Sequence, residues 1–186
     1  ALGARSIIAD ARSPEMQKRL NLKIKFRESF RPFAPSILEE HAKEWFELKS
    51  ISPYMLLVHN VVKKRCKKMS KYNQQLFGIK KLNIARSDIP AVTHVDYSAR
   101  IQTVSPKTNP NYHKLIKRFY EKTGCPVLAN TSFNIRGEPI VCSPEDAFRC
   151  FMGTDLDVLV IDNFFLKKDK QPPSLKEDYK KQFSLD

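Results

Sequence analysis

Leu128-Ala129-Asn130-Thr131-Ser132-Phe133-Asn134 continues as Ile135-Arg136-Gly137-Glu138-Pro139-Ile140-Val141. The apolar residues from Pro126 to Ala129 predict a buried strand. It runs straight into Asn130 to Phe133, where three of four side chains are small and polar. A short turn at Gly137 then returns the chain to apolar residues. Hydroxyl and amide groups at the carboxyl end of a strand are where α/β folds gather ligand contacts. An ordinary strand-to-turn passage has the same composition. The neighbouring motifs decide between the two.

The first neighbour is Lys25-Phe26-Arg27-Glu28-Ser29-Phe30-Arg31-Pro32-Phe33-Ala34-Pro35-Ser36. Three cations within seven residues are interleaved with phenylalanines, and Pro32 and Pro35 fix the backbone on either side of Phe33. An extended backbone would set Lys25, Arg27 and Arg31 along one side, because strand side chains alternate with period two. A row of cations suits a chain of phosphates, and Arg adds planar two-point contacts. A solvated edge strand would carry similar charges.

Around these motifs the pattern alternates between helix and strand. Ser13-Pro14-Glu15 opens a short helix. Ile37, Leu38, His41, Ala42 and Trp45 recur at helical spacing and predict a helix from Ser36 to Phe46. Tyr54 to His59 is strand-like, and Arg100 to Val104 alternates as a half-buried strand does. Tyr112, Leu115, Ile116, Phe119 and Tyr120 form the apolar stripe of a helix opened by Pro110 and closed by Gly124. A second helix runs from Pro144 to Met152, capped by Ser143 and stopped by Gly153. Val158 to Ile161 reads as a buried strand. The expected class is α/β with a partly parallel sheet. After Leu166 the composition turns polar, so residues 167–186 read as a loosely held tail on a domain spanning 1–166.

Composition narrows the function. The chain has 186 residues, enough for one domain with a proper core, and a formal charge of +13. Most of that excess sits between Lys63 and Lys81, which holds eight cations and no acid. The segment reads as a long exposed connection, not as a nucleic-acid groove. No apolar run reaches the ~20 residues a bilayer span needs. Cys66, Cys125, Cys142 and Cys150 have no CxxC spacing, so they read as free core thiols and no metal site is expected. No nucleophile is paired with a base in any known triad spacing. Cations with neutral amide and hydroxyl donors fit a phosphoryl- or adenylyl-transfer pocket, where catalysis is positioning and charge stabilisation.

Five strings occur in a telling order: Ala1-Leu2-Gly3-Ala4-Arg5-Ser6-Ile7, Phe30-Arg31-Pro32-Phe33-Ala34-Pro35, Pro90-Ala91-Val92-Thr93-His94-Val95-Asp96, Asn130-Thr131-Ser132-Phe133-Asn134 and Gly137-Glu138-Pro139-Ile140-Val141. In this the chain resembles, from Ala1 to about Leu166, the carboxyl-terminal region of O-carbamoyltransferases of the NodU and TobZ type. The resemblance implies a YrdC-like fold, a twisted mixed sheet flanked by helices. It also implies a cytoplasmic enzyme fragment that uses carbamoyl phosphate and ATP, with Mg2+, to form carbamoyladenylate and pyrophosphate. The carbamoyl group would then pass to a substrate hydroxyl in a separate amino-terminal domain of the same polypeptide. Iron or another metal would belong to that domain.

Carried over residue by residue, Lys25 and Arg31 match the family's basic pair and Arg100 a third cation. Asn130 and Ser132, with Thr131 between them, match the polar group that holds the carbamoyl or adenylate phosphate. His94 reads as a substrate-orienting residue more than a base, although it would share a strand face with Asp96. Arg5 and Arg136 are second-tier candidates that could pair with Asp10 or Glu138. The family also has an Arg just before the Ala-Leu-Gly string, and Asp96-Tyr97-Ser98 stands where many relatives have Asp-Gly-Thr or Asp-Gly-Ser. Two other readings stay open: an RNA-binding YrdC-like module using the Lys63–Lys81 segment, and a non-catalytic partner domain.

Overall fold

The structure, a computed structural model, describes residues 2–82, 84–175 and 183. In chain order the elements are β1 (Ser6–Asp10), α1 (Met16–Arg19), a wide π-type helical segment (Leu20–Lys25), β2 (Ala34–Leu38), α2 (Ala42–Trp45), β3 (Leu57–Asn60), α3 (Lys71–Gln75), α4 (Gly78–Leu82), β4 (Ser98–Val104), α5 (Pro110–Thr123), β5 (Val127–Ser132), α6 (Pro144–Gly153), β6 (Val158–Ile161) and β7 (Phe164–Lys167). Short 3-10 turns link several of them. The sequence reading treats 1–166 as one domain. The chain folds into two compact units, Ala1–Gln17 with Phe30–Thr131, and Lys18–Ser29 with Ser132–Asp186.

The first unit holds a five-stranded sheet in the order β1-β5-β2-β4-β3. It is mixed: β2 runs parallel to β4, with Ser36 opposite Gln102, and antiparallel to β5, with Ala34 opposite Asn130. β3 closes one edge antiparallel to β4. The α/β class and mixed sheet agree with the expectation. Helix α5 packs its stripe on the sheet, where Tyr112 and Ile116 meet Leu38, Val104 and Leu128. Its ends are set locally. Asn109 accepts from the Tyr112 N–H, Pro110 stands in the first turn, and Gly124 at φ 70° donates its N–H to Tyr120 O at 2.7 Å.

The second unit is built on α6 and the β6-β7 hairpin. Ile135, Val141, Ala147, Cys150, Phe151, Met152 and Leu159 form its core. Ser143 and Asp146 make a reciprocal capping box at the start of α6, and the Asp146 carboxylate also accepts from Cys142 N–H at 3.1 Å. The early part of the polar tail is tied in: Lys168 Nζ donates to Phe151 O and Thr154 O and lies over the Phe151 ring. The rest of the tail reading, 176–182 and 184–186, lies outside the described residues.

Six expectations are corrected. Arg100 to Val104 is strand, within β4, but not half-buried: of Ser98–Val104 only Arg100 is exposed, because β4 is covered on both faces. Residues 25–31 are not an extended strand. Lys25 closes the π-type segment, Phe26 follows at φ 49°, and residues 27–33 are irregular. Leu20, Asn21, Ile24 and Lys25 are buried at a helical spacing that the cation row concealed. The helix predicted from Ser36 is a strand, β2, buried at every position, and helical turns begin only at Glu39. Two ladder partners and full burial outweigh local propensity there. β6 is a hairpin strand, not a buried one, since only Leu159 is buried while Val160 is 60 % exposed. The basic segment contains α3, α4 and a 3-10 turn, and Lys67 N–H donates to Arg86 O at 2.6 Å. Of the thiols, Cys125 and Cys150 are core groups, whereas Cys142 is exposed.

Gly3 explains why the Ala-Leu-Gly string needs its glycine. It sits at φ +89°, and a Cβ there would lie 2.4 Å from the Tyr112 ring. Gly3→Ala therefore adds left-handed strain and a clash with a buried aromatic, and should cost about 1–3 kcal/mol in a urea unfolding measurement. Unchanged stability would show that this contact does not hold the amino-terminal turn.

Candidate functional site

The second unit gathers Lys25, Ser132 and Asn134. The wide turn Leu20–Lys25 drives the Lys25 side chain inward, leaving it 3 % exposed. Its Nζ donates to Ser132 O at 2.5 Å, Asn134 Oδ1 at 2.7 Å, Asn134 O at 2.9 Å and Ser132 Oγ at 3.2 Å. Ser132 Oγ donates to Asn134 Oδ1 at 2.6 Å, and Asn134 Nδ2 donates to Glu138 O at 2.6 Å. The Glu138 carboxylate accepts from Ile135 N–H at 2.8 Å, and Arg136 N–H donates to Lys25 O at 3.1 Å. One ammonium thus organises the whole Ser132–Glu138 loop.

None of those four acceptors of Lys25 is a carboxylate. Burial pushes the Lys25 ammonium down to about 7, with the Arg27 charge acting in the same direction and Glu138 opposing it. The Cys150 thiol in the same core is pushed up, chiefly by burial and next by the nearby Glu138 charge. Such a thiol is not a nucleophile. Arg136 forms an ion pair with Glu28 at 3.5 Å.

The first unit holds the remaining candidates. Asn130 is buried, and its Nδ2 donates to Ser36 Oγ at 2.9 Å and Gln102 Oε1 at 3.0 Å, while Ser36 Oγ donates to Gln102 Oε1 at 2.6 Å. These three side chains join the three central strands, which makes Asn130 a member of a buried network. The adjoining Tyr112 hydroxyl is pushed up to about 12 by burial. Thr131 follows at the strand end, half-buried. Arg5, Arg31 and Arg100 are exposed. Asp10 pairs with Arg12 at 2.6 Å.

His94 and Asp96 lie in a turn, not on one strand face. Asp96 Oδ1 accepts from Ser98 Oγ at 2.7 Å and Ser98 N–H at 3.0 Å, and His94 Nδ1 is 3.0 Å from Ser98 Oγ. Because the Ser98 proton goes to Asp96, the network assigns the donating N–H to His94 Nδ1. Burial holds His94 below its ordinary value, with Asp96 opposing and the Arg100 charge reinforcing the shift. The imidazole is therefore neutral near pH 7 and oriented by Ser98. Tyr97 adopts φ 67°. The turn takes a left-handed backbone without a glycine.

Within each unit, then, the structure brings together Lys25 with Ser132, and His94 with Asp96 and Arg100. Sequence reading missed Asn134, Gln102 and Ser36 as polar partners. Asn134 stood in the quoted motif two residues after Ser132, whereas Gln102 looked like an ordinary alternating strand residue and Ser36 like the start of a helix. Among the described residues no three His, Cys, Asp or Glu side chains cluster as a metal cage. No helix of the described residues is long and apolar enough to cross a membrane.

Residues 1–168 match the family described as Carbamoyltransferase C-terminus. The chain is 57 % identical, over its full length, to an uncharacterized protein, sll1178, of Synechocystis sp., covering 30 % of that protein. It is 45 % identical to Nodulation protein NolO of Bradyrhizobium diazoefficiens, over 95 % of this chain and 29 % of the relative. It is 39 % identical to Nodulation protein U of Sinorhizobium fredii, over 82 % of this chain and 23 % of the relative. The chain belongs to the carbamoyltransferase carboxyl-terminal family, and it spans less than a third of the length of these relatives.

Lys25 gives a pH test of its burial. In the unfolded chain the amine titrates near its ordinary value of 10.5, against about 7 when folded. Between those values the unfolded state binds the extra proton, so stability rises with pH, by roughly 1.4 kcal/mol per unit of pKa difference at most. Urea unfolding at pH 7 and pH 10 should show wild type gaining on Lys25→Met by about 1 kcal/mol or more. A difference that stays fixed would mean that Lys25 keeps its ordinary proton affinity in the fold.

Proposed function

We propose that this chain is the part of an O-carbamoyltransferase that binds carbamoyl phosphate and ATP and forms carbamoyladenylate. The observation that carries the reading is the match of residues 1–168 to the carbamoyltransferase carboxyl-terminal family. A basic, hydroxyl- and amide-rich residue set with no paired nucleophile supports it. Atom balance requires carbamoyl phosphate to lose its phosphoryl group to water. The carbamate oxygen then attacks the α-phosphorus of ATP, and pyrophosphate leaves. An acceptor hydroxyl held by a separate amino-terminal domain would take the carbamoyl group and release AMP.

In this reading Arg31 and Arg100, both exposed cations of the first unit, carry phosphate charge. Asn130 is committed to its buried network, so it fixes the strand end that presents Thr131. Lys25 sets the shape of the loop carrying Ser132 and Asn134, a positioning role that precedes any contact with phosphate. Neutral His94, held by Ser98, orients substrate, and Arg5 adds a further cation. Magnesium would arrive on the ATP phosphates, because Mg2+ keeps waters and takes few protein carboxylates. Cytoplasmic location fits the use of ATP and carbamoyl phosphate.

Calorimetric titration tests the reading. The chain should bind ATP with Mg2+, and Arg31→Ala should weaken binding about tenfold or more, as expected for a charge-assisted hydrogen bond of ~1.5–3 kcal/mol. Replacing Lys63, Lys64, Lys67 and Lys68 together by Gln should leave affinity within about a factor of two, since these charges act only through screened long-range fields. Absence of ATP binding, or equal losses in the two variants, would overturn the assignment.

A further inference from the structure

Arg86 is a buried charge of the first unit. Only 4 % of its surface is exposed. Its Nη1 donates to Leu82 O at 3.2 Å and its Nη2 to Lys81 O, both backbone carbonyls at the end of α4. Its Nε has no hydrogen-bond partner, and no carboxylate pairs with it among the described residues. Carbonyl oxygens satisfy two of its five N–H groups but leave the net charge unbalanced. A guanidinium buried without a counter-charge is costly, and folded proteins normally pair such groups. A cap for a five-residue helix does not account for that cost, because a neutral side chain could supply the same contacts.

The same side chain lines a cavity of about 610 Å3. Lys81, Thr93, His94 and Asp96 share its wall, with Phe30 and Pro32 supplying apolar surface. Lys81 adds a second cation, and among the described residues its Nζ donates only to Gln74 O, at 3.2 Å. Asp96 is engaged by Ser98 and makes no ion pair with Arg86 within 4 Å among the described residues. The volume lies in the range of small-ligand pockets, whose few polar groups fix an otherwise apolar occupant.

We propose that this cavity is an anion site, in which Arg86 and Lys81 bind the oxyanion of a small molecule, a carboxylate or a phosphate. Arg86 supplies the unspent N–H groups, and the ligand supplies the missing counter-charge. Phe30 and Pro32 offer the rest of the molecule a flat apolar contact. The inference needs only an oxyanion and does not rest on ATP or carbamoyl phosphate being the ligands of Arg31.

The test uses the 186-residue chain with inorganic phosphate in one arm and acetate in the other, at constant ionic strength set by chloride. The 15N resonance of Arg86 Nε should shift saturably with at least one of the two ions, and the responding arm identifies the oxyanion class. Arg86→Met, which lacks the reporter nitrogen and is read by calorimetric titration with the responding ion, should weaken that binding tenfold or more. Lys81→Glu, at the helix end, should do so even if Arg86→Met fails to fold. Arg118→Gln, on the exposed face of α5, should change nothing, and Arg31→Ala should leave the Arg86 response intact. An Arg86 resonance unmoved by either ion up to about 10 mM, or a response unaltered in folded Lys81→Glu, would show that Arg86 is only a helix cap.

Discussion

A single buried ammonium holds the second unit in shape. Lys25 enters the interior because the preceding turn is wide, and once inside it must be satisfied there. It is satisfied by the main chain and side chains of Ser132 and Asn134, a hundred residues further on. The loop that follows can then fold back so that Asn134 reaches Glu138 O and Glu138 reaches Ile135 N–H. Removing the Lys25 side chain would strand several buried oxygens at once, which costs more than losing any one bond. The sequence motif around Ser132 is therefore a loop whose geometry is imposed from the side of Lys25.

The first unit solves a similar problem without charge. Ser36, Gln102 and Asn130 face one another across three adjacent strands and exchange hydrogen bonds in a nearly dry setting. Such a network is favourable only when every member is paired, so it fixes the register of β2 against both neighbours. Fixing that register also fixes where β5 ends and thus where Thr131 is presented. Buried polarity here does the positioning that the exposed cations Arg31 and Arg100 cannot do for themselves.

The large positive charge turns out to be of two kinds. In the Lys63–Lys81 segment most of it is solvated, and Arg65 is occupied with the Trp45 ring and with Asp88. Arg86, outside that run and unremarkable in the sequence, is a cation of the first unit that the fold buries with no acid paired to it among the described residues. Burial without a counter-charge, not charge density, is what marks Arg86 as a candidate ligand group.

The sequence by itself determined the features whose causes are local. The caps of α5 and α6, the presence of a strand at 100–104, the apolar start of β5 and the membership of the carbamoyltransferase carboxyl-terminal family were all legible, because each is written in a few consecutive residues or in an ordered set of motifs. Only the tertiary structure decided the rest. Residues 34–38 became strand because partners from β4 and β5 cover both edges, although their side chains repeat at helical spacing. The cations of 25–31 were separated, one into a core and one to the surface, because the backbone there is a wide turn followed by irregular chain. His94 acquired its tautomer from Ser98, and Arg86 its burial from the packing of its surroundings. In each case the deciding energy comes from burial or pairing with groups distant in the chain, and no local pattern encodes which groups those will be.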